Sequence, residues 1–325
     1  MNKRIIIAAM AAIALAACEK KDVEPQVKPG ETVTFEVSAQ TSQTKITGAE
    51  TGENTVNSYQ FLVFNKDNGM LETYASSETA STKLTCTTGS KDIVVIANAP
   101  NLSSVVSMEM LKNTKSALKD NQKGKFVMEG IASPTLTASS NTVNVTLTRL
   151  VSKIRLKKIS LNFDHASYDE LNFKVLKVYL INVPADRGYL ASPADPELWY
   201  NELEYDAADP NEMLYDDVNI DISATKLYDI QHHFYCYPNP YTTDSFTDEW
   251  SPRPTRLVVE AELGGVHYYY PVALPELKSN TVYEVSLEIV RPGSVTPEEN
   301  MDKYESSVTV TINEWAPTVP VPETI

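Results

Sequence analysis

The run Leu15-Ala16-Ala17-Cys18 places a thiol directly behind small residues and a short apolar stretch. These residue types suit one chemistry: a signal peptidase accepts small side chains before its cut, and the cysteine sulfur then takes a diacylglyceride and becomes the N-terminus. Lys3 and Arg4 supply the positive start, and Ile5 to Leu15 the apolar segment. As a helix that segment would reach only about 16 Å, roughly half the hydrocarbon core, so it is no stable membrane span. Residues 1–17 are therefore expected to be a lipoprotein signal peptide, with Cys18 the lipidation site. A plain secretory signal with an incidental cysteine is the competing reading. Glu19 to Lys28 is charged, contains proline and has almost no apolar residues, the composition of a tether.

No other group of residues points to catalysis. The chain has no phosphate-binding glycine loop, no histidine pair at helical spacing and no serine between glycines at a strand-to-helix elbow. His232 and His233 are adjacent, and on a strand they point to opposite faces, so one metal cannot take both without a bulge. Asp206, Asp209, Glu212, Asp216 and Asp217 form an acidic run that lacks the ligand spacing and turn glycine of a calcium loop. No catalytic residue, metal or cofactor is expected. Cys86 and Cys236 read either as one bridge in an oxidising compartment or as two buried thiols, since their spacing matches no metal or redox motif. The aromatics Tyr235, Tyr237, Tyr241, Trp250, Tyr268, Tyr269, Tyr270 and Tyr283 could stack on sugars, but strand alternation sends half of them inward. A net charge of -15 leaves no basic stripe for phosphates, which argues against nucleic acid.

The elements that would position these groups are strands. Thr32 to Val37 alternates apolar and polar residues, as do Val143 to Leu147 and many others. Phe61-Leu62-Val63-Phe64 and Ile93-Val94-Val95-Ile96 are continuous apolar runs, which fit strands buried on both faces. Val151 to Leu161 reads as a longer strand whose alternation breaks at Lys157-Lys158, where a bulge would fit. One helix is allowed within Ser103 to Lys119, capped by Ser103 or Ser104. In the second half, strands are expected at Leu171 to Ile181, Val218 to Ile222, His233 to Tyr237, Arg256 to Leu263, His267 to Ala273, Thr281 to Val290 and Ser307 to Ile312. Long loops such as Pro184 to Asp217 lie between them. The expected fold is all-β, a sandwich in each half with at most one or two short helices, divided near Leu150. Beyond Trp315, Val319, Val321 and Ile325 keep period-2 spacing, while Pro320 and Pro322 lack the N–H of a central strand. That tail reads as an extended strand bonding on one edge, or as a frayed end.

Several of these segments, in order, resemble the FimA-like fimbrillins, type V pilus subunits of Bacteroidales. They are the cysteine motif at Cys18, Thr32-Val33-Thr34-Phe35 followed by Lys45-Ile46-Thr47-Gly48, Lys91 to Ala99, and Leu147 to Ile154. Tyr268-Tyr269-Tyr270-Pro271-Val272, Asn280-Thr281-Val282-Tyr283, Pro292-Gly293-Ser294 and the valine-rich strand ending at Trp315 complete the pattern.

The resemblance implies two transthyretin-like β-sandwich domains, 46–150 and 151–325, preceded by a tether and first strand at 18–45. It implies a lipidated precursor at the outer membrane, cut by a trypsin-like cysteine protease and polymerised by strand exchange into a fimbrium. Carried over, the cut follows Lys45 and the displaced strand holds Val33, Phe35 and Val37. The donor strand, 316–325, presents Val319, Val321 and Ile325. Partners would be identical or related pilin subunits, the membrane before processing, and a host or bacterial surface ligand. The family's processing residue is arginine, and here no arginine lies between Cys18 and Arg149. Either the protease accepts lysine, or the chain stays lipidated as a fimbrial anchor. A surface glycan-binding lipoprotein using Tyr241 and Trp250 is the reading from another class.

Overall fold

Period-2 patterning and β-branched residues put most of the chain into strands. A computed structural model describes residues 30–41, 52–191, 196–222, 225–243, 250–299 and 306–315. The first half contributes β1 (Thr32–Thr41), β2 (Tyr59–Asn65), β3 (Leu71–Ser77), β4 (Ser81–Thr87), β5 (Gly89–Ala97), β6 (Met128–Ala132) and β7 (Thr142–Arg149). They form one eight-stranded sheet in the order β3-β2-β5-β6-β7-β1-β4, with the short strand Thr135–Leu136 added off β5. The sheet curls until its edges meet: Thr73 of β3 donates its hydroxyl to the Thr85 carbonyl of β4 at 2.5 Å. Close approach of β6 to β7 needs Gly130, since a Cβ there would lie 2.3 Å from the Thr146 carbonyl oxygen.

The second half holds β8 (Ser152–Leu161), β9 (Phe173–Ile181), β10 (Tyr215–Ile222), β11 (His232–Cys236), β12 (Arg256–Leu263), β13 (Val266–Ala273), β14 (Thr281–Ile289) and β15 (Ser306–Glu314). One sheet runs Leu227–Tyr228, β8, β14, β15, with β11 also on β8; the other runs β10-β9-β12-β13. β14 lies parallel to β8, and the register slips between Leu156 and Lys158, at the expected bulge.

The continuous apolar runs are buried on two faces, as their composition requires. Phe61, Val63, Ile93 and Val95 join a core with Val33, Phe35, Val37 and Cys86. Leu62, Phe64, Val94 and Ile96 face the other way, into a core that continues through Leu150 and Val151 to Ile154, Tyr235 and Val285. Each such side chain contributes roughly 1.5–3 kcal/mol by leaving water, so the halves share a large apolar joint.

The expected helix is shorter and starts later, at Met108–Asn113 (α1), with the Ser107 side chain capping the Met110 amide. The chain beyond it, Lys115–Ala117, is instead a strand paired with Asp186–Gly188 from the second half. A second short helix is Ala166–Asp169. No helix among the described residues is long and apolar enough to cross a membrane.

Candidate functional site

β1 is the first strand among the described residues and has a hydrogen-bonded neighbour on each side. Val33, Phe35, Val37 and Ala39 point into the core and are each at most 7% exposed, while Thr32, Thr34 and Gln40 face solvent. On one side β1 pairs antiparallel with β4, matching Val33 to Cys86 and Phe35 to Leu84. On the other it runs parallel to β7, matching Val37 to Val143 and Thr41 to Leu147. Removing it would leave β4 and β7 with unpaired backbone groups flanking an open apolar groove, two features that water penalises and an extended segment can satisfy.

An ion pair closes the rim of this sheet. Lys91, 1% exposed, donates to Glu72 at 2.7 Å, and the Glu72 carboxylate also accepts from the Thr87 amide at 3.0 Å and the Asn65 side chain at 2.9 Å. Burial alone would raise the Glu72 pKa, but bonds from Lys91, Thr87 and Asn65 outweigh it and hold the group at about 2. Cys86, 5% exposed beneath β1, is pushed by burial up to about 11. Cys236 is also free and buried, in the other core, so the described fold holds two separate thiols.

The other end of the described chain sits at the junction between the halves. Trp315, 2% exposed, packs on Phe126 and stacks on Tyr235, with ring centroids 6.2 and 6.1 Å away. Its amide donates to the Asn280 carbonyl and its carbonyl accepts from the Asn280 side chain, both at 3.0 Å. Around it lies a buried polar network in which Lys153 donates to Glu53 at 2.6 Å and Tyr235 to the same carboxylate oxygen at 2.7 Å. Arg187 reaches Glu129 across the joint at 3.2 Å, and the Tyr237 hydroxyl bonds Ser116 at 2.8 Å. With their hydrogen bonds made, these groups fix one packing of the halves.

The structure brings Val33, Phe35 and Val37 together on one inward face. Cys18, Lys45, Val319, Val321 and Ile325 lie outside the described residues. His232 and His233 do point to opposite faces: His232 contacts Asp216 at 2.8 Å and Tyr228 at 2.6 Å. Burial, followed by Lys153 and Arg155, lowers the His233 pKa to about 4. Among the described residues no group of His, Cys, Asp or Glu could hold a metal. Of the aromatics, Tyr235, Tyr237, Tyr270 and Tyr283 are core, whereas Tyr241 and Trp250 remain half-buried and flank Trp199 at 6.0 and 5.5 Å. Sequence reasoning missed Glu53, Arg149, Lys153 and Arg187; the signal was the placement of Arg149 and Lys153 next to apolar strand positions.

Residues 32–164 match the model of the family described as Major fimbrial subunit protein (FimA). A putative cell adhesion protein from Bacteroides eggerthii shares the fold with TM-score 0.68 and 19% identity, over 90% of this chain and 100% of that one. A fimbrilin (fimA) from Porphyromonas gingivalis does so with TM-score 0.65 and 17% identity, over 90% and 100%. The tip fimbrial protein Mfa3 from the same organism gives 0.56 and 16%, over 88% and 100%. No curated protein sequence is a significant match. The expected resemblance to fimbrillins is borne out over residues 32–164, and the all-β sandwich fold over most of the chain.

Proposed function

We propose that this chain is a polymerising fimbrial subunit, carried to the outer membrane as a lipoprotein acylated on Cys18 and cut after Lys45 by a processing protease. The cut releases β1, and residues 316–325 of the next subunit replace it, with Val319, Val321 and Ile325 filling the groove that the apolar row of β1 vacates. The chain then divides into a removed segment, 18–45, and two sandwich domains meeting near Leu150. The observation that carries this reading is the position of β1. It is the first strand described, it is bonded on both sides and it holds an apolar row in the core, while Lys45 follows four residues after its end at Thr41. Lysine in place of arginine is compatible with a trypsin-like protease, which reads a long basic side chain before the scissile bond.

Deleting Pro317 to Ile325 tests the proposal. Loss of fibres on electron micrographs, with the monomer still folded, is expected; unchanged fibre growth would sink it. Fibre growth from a chain that keeps its acylated Cys18 would instead support the lipid-retained anchor. The Trp199, Tyr241 and Trp250 cluster favours a second role in binding a surface ligand, because half-buried rings can stack on the apolar faces of sugars. Binding of the monomer to a glycan array, abolished by Trp250→Ala, would establish that role; array binding that survives Trp250→Ala would remove it.

A further inference from the structure

The segment that follows the Lys45 cut and the residue from which the C-terminal tail departs are held by the same side chain. Arg149, at the end of β7 and 1% exposed, donates Nε to the Glu53 carbonyl at 3.1 Å and a terminal nitrogen to the Asn54 side chain. Its other terminal nitrogen donates to the Asn280 side chain at 2.9 Å. The guanidinium lies 4.3 Å from the centre of the Trp315 ring. Asn280 in turn grips both backbone groups of Trp315. Burial lowers the Arg149 pKa to about 10, with Glu53 and Tyr235 opposing the shift, so the cation stays charged at neutral pH.

This arrangement fits more than ordinary packing. A guanidinium presents donors in a fixed fork and a flat face for a ring, and Arg149 uses the fork on residues 53, 54 and 280 and the face on Trp315. A desolvated cation over an indole and charge-assisted hydrogen bonds are among the stronger contacts a side chain makes. Together they fix Trp315, the residue immediately before the tail. A tail ten residues long spans about 33 Å when extended, so a change of angle at its root moves its far end out of reach of a groove.

We propose that Arg149 is a positioning residue for strand donation: it clasps the root of the tail, through Trp315 and Asn280, to the segment retained after processing. This rests on the strand-exchange reading above. Arg149 ends β7, a wall of the β1 groove, whereas its ring partner Trp315 lies in the other core, so the donor and acceptor roles are told apart by assaying each alone.

The two roles can be assayed apart. An uncut chain keeps β1 and serves only as donor; a chain cut after Lys45 through an inserted protease site and lacking residues 316–325 serves only as acceptor. Arg149→Lys, which keeps the charge but loses the fork, and Trp315→Phe, which keeps the packing but weakens the stack, are placed in each role opposite a wild-type partner. Dimer yield is read on native gels and thermal unfolding is followed alongside. The expected result is a loss of about tenfold or more in the donor role for both variants, with acceptor yield unchanged. Equal losses in both roles would reduce Arg149 to a stability residue and overturn the proposal, as would full donor yield in both variants. If wild-type donor and acceptor form no dimer, or form it without residues 316–325, the strand-exchange reading itself fails, a result distinct from either.

Discussion

Truncating Phe35 to alanine isolates what β1 contributes. The ring is 2% exposed and packs among Val33, Val37, Leu84 and Val95 in the first core. Its loss costs about 3–5 kcal/mol, a large fraction of a domain's stability. If β1 opens as a unit, the open population rises between about a hundredfold and a few thousandfold, since each 1.4 kcal/mol is a factor of ten. Cys86 reports that opening. It lies opposite Val33, and burial holds its thiol at about 11, so it reacts only when the strand lifts and the thiol returns toward its ordinary range. The assay is a time course of iodoacetamide labelling on the uncut chain from residue 18, carrying Cys18→Ser, with each cysteine read by peptide mass spectrometry. Cys86 labelling should accelerate by the factor above. Cys236, fully buried in the other core, should stay at its wild-type rate. Equal acceleration of both thiols would mean that the whole fold opens, and an unchanged Cys86 rate would mean that β1 does not gate the groove; either refutes the reasoning.

Three further outcomes follow from the same geometry. The Glu72 pKa is depressed from its ordinary value to about 2, so the folded state binds fewer protons than the unfolded chain; the stability it adds is complete above about pH 4.5 and fades as pH falls towards 2. Glu72→Gln should flatten that part of the stability profile in urea titrations, and an unaltered profile would count against the ion pair. His233, lowered to about 4, should stay neutral in the fold while its unfolded counterpart protonates near 6.5, so stability also declines from about pH 6.5 to pH 4; an NMR titration placing His233 near 6.5 would contradict this. Trp315→Ala should cost about 3–5 kcal/mol by denaturant unfolding, because it empties the joint between Phe126, Tyr235 and Arg149; a loss below 1 kcal/mol would show the joint to be loose.

Strands were legible wherever side-chain period and burial agreed. Arg256–Leu263 has the expected bounds, and β1 extends the expected Thr32 to Val37 by continuing its alternation through Ala39. The two apolar runs identified themselves because only a strand covered on both faces tolerates unbroken Phe, Ile and Val. What escaped was the joint. Asp186–Gly188 lies in a segment read as loop and Lys115–Ala117 in one read as helix, yet they pair across the halves, and Arg187 is buried among Glu129, Ser279 and the Leu150 carbonyl. Pairing between residues about 70 apart in sequence leaves no local pattern. The helix is shorter than Ser103 to Lys119 because Val105 and Leu118, near the two ends of that segment, are buried from a turn and a 3₁₀ segment. For the site, the inward row Val33, Phe35 and Val37 could be read from alternation alone, whereas the Arg149 clasp depends on Trp315 and Asn280 arriving from more than 100 residues away.

The central claim is that the first strand is removed and another takes its place. N-terminal sequencing of the chain recovered from purified surface fibres tests it most directly. The account predicts a start at Ile46 and no peptide covering Thr32 to Thr41; a fibre whose subunits begin at an acylated Cys18 and retain that strand would contradict it.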